Sequence, residues 1–248
     1  MMGRRHGTPP MPPPDSPLPD ARPPPVMHQP PSPDRPLAGL TILAVEDSRF
    51  ACEALRLLCQ RLGARLRRAE TLAAAAAHLR TYRPDVVLVD LGLPDGPGTG
   101  LIASLAALGP ARPLVIGMSG EDGAAPRALA AGAAGYLAKP LESLAAFRDG
   151  LLAQLPDRGW LAPARAAPGQ VLPAPDPLAL RDDLARAAAC LARGGDENAY
   201  VAGLVAGLAR ATRDPALERA ARGPRAALGP LLQARLDSLS ATPPFGLS

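Results

Sequence analysis

The sequence predicts an α/β fold with a doubly wound, five-stranded parallel sheet, followed by a small all-α module. Three observations carry this prediction. Short apolar runs alternate with helical patterns over residues 39–156. The central runs are apolar on both faces, as buried parallel strands should be. Over residues 177–240, apolar residues continue at helical spacing alone, so a second, helical unit is expected there.

The predicted strands are short aliphatic runs, of which the second is weak. They cover residues 40–45, 64–69, 85–90, 113–118 and 135–138. Helical patterns follow them near residues 49–62, 71–81, 99–108, 122–131 and 142–155. This strict alternation is typical of repeated βα units, in which the crossover helices cover both faces of one sheet.

Proline marks the segments outside the two predicted units. Of the 32 prolines, 14 lie in the first 36 residues, where aliphatic side chains are almost absent. Residues 1–38 are therefore predicted to be a disordered, proline-rich tail. Residues 157–176, rich in proline and alanine, are predicted to be a linker, and residues 241–248 a C-terminal tail.

Charge and hydropathy argue against several classes of protein. The net charge is +4 without a basic block, so nucleic acid is not expected as a partner. The sequence has neither the apolar core of a signal peptide nor a run of about 18 apolar residues, which predicts a cytoplasmic protein without a membrane span. Three cysteines, Cys52, Cys59 and Cys190, lie in helical patterns without metal-ligand spacing and are predicted to be buried free thiols.

Polar residues follow the predicted strands at their carboxyl ends. Glu46 and Asp47 follow the first strand, Asp90 ends the third, Ser119 follows the fourth, and Lys139 follows the fifth. Because the carboxyl ends of parallel strands meet at one edge of a sheet, these groups are expected to share one crevice.

The chemistry of these groups suits a divalent cation and a phosphoryl group. Clustered carboxylates repel one another unless a cation intervenes, and hard oxygen ligands suit Mg²⁺. Asp90 beside such a cation could act as a nucleophile and form an acyl phosphate. Lys139 is the only lysine among 27 basic residues, which indicates a specific requirement for an ammonium at this strand end.

Four motifs resemble those of the receiver domain of two-component response regulators. They are VEDS, DLGLPDGPG, GMSG and GYLAKP, and the resemblance covers residues 39–156. It implies a flavodoxin-like sheet, with Asp90 as the phosphoacceptor and with Glu46, Asp47 and Asp90 as ligands of Mg²⁺. It also implies that Ser119 and Tyr136 form the switch and that Lys139 contacts the phosphate.

The same resemblance implies further roles. Lys139 and Pro140 would be joined by a cis peptide bond, and Gly92 and Glu121 would tune the lifetime of the phosphoryl group. The donor would be a histidine kinase or a histidine phosphotransfer protein, and the output an unknown downstream protein or a phosphorylation-dependent dimer. Such a protein is not an independent enzyme, because it catalyses only its own phosphorylation and dephosphorylation.

Other interpretations of these residues stay open at the level of sequence. Glu46 and Asp47 could cap the first helix, and Ser119 could start the fourth. The domain could also be a pseudo-receiver that acts as a scaffold without phosphorylation. A phosphate-ester hydrolase with an aspartate nucleophile is disfavoured, because Gly92 stands where such enzymes need a second carboxylate.

The helical module weakly resembles a histidine phosphotransfer domain that lacks its histidine. Aligning the motif glycine on Gly207 places Gly203 at the histidine position and Ala206 at the usual lysine, and no histidine follows residue 78. An unrelated helical interaction domain is the alternative, and a DNA-binding unit is disfavoured by the acidic stretches RDDLAR and GGDENAY. The small module is expected to pack on a partner or on the first domain.

Overall fold

The structure is a computed structural model that describes residues 30–141, 143–155, 176–193 and 198–241. Most of the predicted N-terminal tail, almost the whole of the predicted linker and residues 242–248 lie outside the described residues. The predictions for those segments therefore stay predictions.

Five parallel strands form one sheet in the described part of the chain, in the order β2-β1-β3-β4-β5. The strands are β1 (Thr41–Val45), β2 (Arg65–Ala69), β3 (Val86–Asp90), β4 (Leu114–Ser119) and β5 (Gly135–Ala138). All neighbours pair in parallel. This confirms the predicted fold class, including the weak second strand, which forms the edge of the sheet beside β1.

Helices cover both faces of this sheet. They are α1 (Arg49–Leu62), α2 (Leu72–Thr81), α3 (Gly98–Ala106), α4 (Ala125–Ala130) and α5 (Leu144–Leu152). One apolar cluster lies under α1 and α5 and another under α2, α3 and α4. Strand β3 contributes to both clusters and every one of its residues is buried, which explains its continuous apolar run.

Helix α4 begins later than the predicted start at residue 122. Gly123 has a φ of +77°, in the left-handed region, so a right-handed helix cannot run through it. The helix instead begins at Ala125, with a proline in its first turn. The longer loop after β4 leaves Ser119 outside the helix.

Residues 30–38 correct the predicted extent of the tail. Leu37 is fully buried, and its backbone N–H donates to the carbonyl of Leu62 at 2.9 Å. Ala38 is buried as well, beside the C-terminal end of α1. Proline content led to the boundary at 38, but Leu37 and Ala38 have apolar surface to bury, so the folded part begins before them.

Gly98 packs the start of α3 against the end of β3. A Cβ atom at this position would lie 2.0 Å from the carbonyl oxygen of Asp90 and 2.9 Å from Val89 Cγ1. Gly98→Ala is therefore expected to lower the free energy of unfolding by about 3 kcal/mol, because the strand backbone cannot move aside cheaply. Urea unfolding monitored by circular dichroism measures this.

Gly100→Ala is the matched control in the same helix. No atom lies within 4 Å of the Cβ that it would add, so we expect no loss and a gain of up to about 1 kcal/mol. A Gly98→Ala protein as stable as Gly100→Ala would show that the close contact with Asp90 does not limit this position.

The C-terminal module consists of four helices in its described part. They are α6 (Pro177–Arg193), α7 (Asn198–Ala211), α8 (Pro215–Ala221) and α9 (Arg225–Ala241). The short α8 lies between α7 and α9. Its start is marked by Asp214, whose side chain accepts hydrogen bonds from Ala216 N and Leu217 N.

The module packs on the first domain, one of the two arrangements expected from the sequence. Its own apolar core includes Leu184, Val205 and Leu232, and Phe50 of α1 is buried in the same core.

Cys52, Cys59 and Cys190 are buried free thiols, as predicted. Within the described residues, no helix is both long and apolar enough to cross a membrane.

Candidate functional site

Three carboxylates meet at the carboxyl edge of the sheet. Glu46 and Asp47 follow the last residue of β1, and Asp90 is the last residue of β3. One carboxylate oxygen from each lies within 4.8 Å of the others, and all three residues are buried. The structure thus brings together the acidic residues that the sequence placed at one edge.

Lys139 joins two of these carboxylates. Its Nζ lies 2.8 Å from Glu46 Oε2 and 2.8 Å from Asp90 Oδ2. Its backbone N–H donates to the carbonyl of Ser119 at 2.8 Å, and its peptide bond to Pro140 is cis. The only lysine of the chain is therefore fixed at both its backbone and its ammonium group.

Burial and the mutual proximity of the charged groups shift the pKa values of the pocket residues. Burial raises the pKa of Glu46 to about 8, with Asp90 and Asp47 adding to the effect and Lys139 opposing it. Burial also raises the pKa of Asp47. Burial alone would lower the pKa of Lys139, but Asp90 and Glu46 raise it above its usual value, so this side chain stays an ammonium ion.

The donor set fits a hard divalent cation. All three side chains offer carboxylate oxygens, the ligands that Mg²⁺ prefers. Their mutual repulsion in a buried pocket would be relieved by a cation. Glu46, Asp47 and Asp90 are therefore the residues that could hold Mg²⁺ here.

The alternative in which the acidic pair caps α1 does not hold. The N-cap of α1 is Ser48, whose Oγ accepts from the backbone N–H of Ala51 at 3.0 Å. Glu46 instead accepts from Ser48 N through Oε1 and contacts Lys139 through Oε2. Its side chain is thus committed to the pocket.

The two predicted switch residues, Ser119 and Tyr136, are in contact in the structure. Ser119 Oγ accepts from the backbone N–H of Glu121 at 3.0 Å, which leaves the hydroxyl proton available for another acceptor. Tyr136 is half-buried, and its Oη donates to the carbonyl of Ser119 at 3.0 Å. Burial raises the pKa of Tyr136, so this hydroxyl stays a donor.

The two positions predicted to tune the phosphoryl lifetime differ in character. Gly92 donates its backbone N–H to Asp90 Oδ1 at 3.2 Å, and the space that a side chain would fill there is open to 4 Å. Glu121 is exposed and pairs with Arg127. Both residues line the cavity that Asp90 and Lys139 also line.

Residues of the helical module reach into the same site, and sequence reasoning missed them. Arg186 on α6 contacts Asp47 Oδ2 through Nη1 at 3.1 Å and the Asp47 carbonyl through Nη2 at 2.6 Å. Tyr200 on α7 donates its hydroxyl to Asp47 Oδ2. Asp47 at the edge of the sheet is therefore contacted by a second unit of the chain.

Asp183 links α6 to the start of α1 through hydrogen bonds. It is fully buried and accepts from Ser48 Oγ at 2.8 Å, Arg49 N at 3.0 Å and Phe50 N at 2.9 Å. One sequence signal could have found it. Asp183 lies three residues after Leu180 and four before Ala187, so this carboxylate stands on the apolar face of a helix.

A cavity of about 1680 Å³ runs between the two units. Asp90 and Lys139 line it from the sheet edge, and Gly203, Gly207 and Arg210 line it from α7. A Cβ atom at Gly120 would lie 2.5 Å from Arg210 Nη2, so this guanidinium lies directly beside the loop after β4.

Comparisons with known proteins find similarity over the first domain. The family model described as response regulator receiver domain matches residues 42–147. The KDP operon transcriptional regulatory protein KdpE of Escherichia coli (strain K12) is 36% identical over 99 residues, which make up 40% of this chain and 44% of KdpE. The chain thus spans less than half the length of this curated relative.

Solved structures of two response regulators are also similar. The receiver domain (CheY-like) from Methylobacillus flagellatus is 26% identical with a TM-score of 0.43, over 47% of this chain and 98% of that one. A response regulator from Burkholderia pseudomallei, solved with a phosphorylated aspartic acid, calcium ion and citrate, is 26% identical with a TM-score of 0.41, over 45% and 66%. Residues 42–147 are homologous to response regulator receiver domains, which is consistent with phosphorelay signalling.

Proposed function

We propose that this chain is a response regulator that accepts a phosphoryl group on Asp90 from a histidine kinase or a histidine phosphotransfer protein. One observation carries the proposal: Asp90 Oδ2 lies 2.8 Å from Lys139 Nζ in a pocket with two further carboxylates. An acceptor carboxylate, a fixed ammonium and hard oxygen ligands for a cation are the parts that phosphoryl transfer to an aspartate requires.

In the proposed transfer, a carboxylate oxygen of Asp90 attacks phosphorus. The new P–O bond forms as the P–N bond of the donor phosphohistidine breaks, and the electron pair of that bond leaves with the imidazole. Lys139 neutralises a phosphoryl oxygen, and Ser119 Oγ donates its free hydroxyl proton to another. Mg²⁺ bound by Glu46, Asp47 and Asp90 would supply further neutralisation of negative charge.

The output is proposed to pass through Ser119 and Tyr136 to the outer face of the domain. Tyr136 donates to the carbonyl of Ser119, so a movement of Ser119 toward a phosphoryl group also moves the acceptor of the tyrosine. The phosphorylated domain then favours a different population of outer-face conformations. A phosphorylation-dependent dimer, contact with a downstream protein and a cytoplasmic location stay predictions.

Labelling with a small phosphodonor tests the proposal. In Mg²⁺ and acetyl phosphate, the wild type is expected to gain a base-labile phosphoryl group, measured by intact mass and phosphate-affinity gel. Asp90→Ala is expected to gain none, because it lacks the attacking carboxylate. Beryllofluoride should likewise bind the wild type and not the variant.

Asp122→Ala is the matched control, since Asp122 is an exposed carboxylate on the loop after β4. It should label as the wild type does. A wild type that gains no phosphoryl group, or equal labelling of Asp90→Ala, would contradict the proposal and favour a pseudo-receiver that acts as a scaffold.

A further inference from the structure

We propose that the helical module is a built-in competitor of the divalent cation: Arg186 and Tyr200 hold Asp47, and the module must loosen from the acidic pocket for the cation to bind. The inference rests on the proposed function, because it concerns the same cation site. It assigns to the module a role that the receiver homology alone does not contain.

The contact with Asp47 uses a carboxylate oxygen that a cation could bind. Arg186 Nη1 and Tyr200 Oη both donate hydrogen bonds to Asp47 Oδ2, the first at 3.1 Å. Arg186 Nη2 binds the carbonyl oxygen of the same residue at 2.6 Å. Only 3% of the Asp47 side chain is exposed. A carboxylate oxygen that already accepts two hydrogen bonds is a poorer ligand for a cation.

Electrostatic repulsion also opposes cation binding while Arg186 is docked. In this arrangement the three pocket carboxylates are paired with two cationic side chains, Lys139 from the first domain and Arg186 from the module. A divalent ion bound to the same carboxylates would bring two positive charges close to the Arg186 guanidinium. Like charges at this range in a buried site repel strongly, so bound cation and docked Arg186 disfavour each other.

Arg186 cannot leave Asp47 without disturbing the rest of the interface. Its Nη2 is also 2.6 Å from Asp183 Oδ1, and Asp183 accepts the N–H groups of Arg49 and Phe50 at the start of α1. Phe50 in turn lies in the apolar core of the module. Asp47 and the first turn of α1 are therefore held by one connected network, which makes docking and release a property of the whole module.

Coupling between two binding events is reciprocal: if docking of the module weakens cation binding, the cation weakens docking by the same factor. A substitution that weakens docking is therefore expected to strengthen cation binding. The test is isothermal titration calorimetry of the full chain with Mg²⁺. Arg186→Gln is expected to raise the affinity for Mg²⁺ about tenfold, within the usual range for such coupling. Tyr200→Phe removes one hydroxyl and should shift the affinity in the same direction by a smaller factor.

Arg181→Gln is the control, since Arg181 is an exposed arginine on the same helix. It should leave the affinity unchanged. A second measurement is hydrogen exchange at the amides of Arg49 and Phe50, which Mg²⁺ should accelerate in the wild type because it loosens their acceptor Asp183.

The outcomes separate the inference from the proposed function. Equal affinity for Mg²⁺ in the wild type, Arg186→Gln and Tyr200→Phe would overturn the competition and leave the proposed site intact. Absence of Mg²⁺ binding in all of them would overturn the proposed site itself. Should Arg186→Gln fail to unfold cooperatively, Tyr200→Phe decides, and an unchanged affinity in that variant counts against the competition.

Discussion

Lys139→Met is expected to lower the free energy of unfolding of the metal-free receiver by about 3 kcal/mol, the usual cost of removing one partner from a buried ion pair. Methionine keeps the length and the apolar stem but leaves Glu46 and Asp90 without their shared ammonium. Phosphoryl labelling of Asp90 should also fall below detection. Urea unfolding and intact mass measure the two effects.

The loss from Lys139→Met should depend on pH and on Mg²⁺. The pKa of Glu46 is already raised to about 8, so the folded protein binds that proton more tightly than the unfolded chain does. Stability that depends on this proton is present at low pH and is lost as the pH rises toward 8. The free energy of unfolding of the variant should therefore be lowest near pH 8. Saturating Mg²⁺ should restore part of the lost stability.

Pairing the substitution with Glu46→Gln provides the control. The double variant should recover part of the stability, because it removes one of the two uncompensated carboxylates. A Lys139→Met protein within about 1 kcal/mol of the wild type, with no recovery in the double variant, would show that the pocket tolerates its negative charge without the ammonium.

Asp183→Ala is expected to detach the helical module from α1. The substitution leaves Ser48 Oγ, the amides of Arg49 and Phe50, and Arg186 without their shared acceptor. Removal of a buried charged partner costs about 3 kcal/mol of docking free energy. Hydrogen exchange at the two amides should accelerate by about a hundredfold, as that energy implies.

The neighbouring residue supplies a matched control for Asp183. Asp182 is half-exposed and makes a surface ion pair with Arg49 at 2.7 Å. Asp182→Ala should change docking by no more than about 0.5 kcal/mol, because exposed pairs contribute little. Similar acceleration of exchange in both variants would show that the buried network does not hold the module.

The sheet and the acidic pocket could be predicted because their information is local. Each apolar run defines its own strand, and the rule that parallel strands end at one edge brings Asp47, Asp90 and Lys139 together without knowledge of any side-chain contact. The start of α4 was placed too early because an amphipathic pattern does not reveal that Gly123 has a positive φ. The roles of these residues in phosphorylation stay predictions.

The position of the helical module could not be predicted, because its contacts join residues far apart in the sequence. Arg186 and Asp47 are separated by 139 positions, and Tyr200 and Asp47 by 153. On α6 alone, Arg186 looks like an ordinary solvated side chain, and only its contact with Asp47 on the first domain shows that it belongs to the site. The resemblance of the module to a phosphotransfer domain also stays a prediction, although α7 does present Gly203 and Gly207 to the cavity.

The covalent connection between the two units determines how tightly a separate protein must bind in order to displace α6 from the pocket. Because α6 belongs to the same chain as Asp47, it competes for the pocket intramolecularly, at an effective concentration that does not change with the concentration of the protein. A separate protein that docks on the start of α1 faces this internal ligand at every encounter, regardless of how much of the protein is present. The threshold for engaging the receiver is thus independent of cellular abundance and is set by the chain itself.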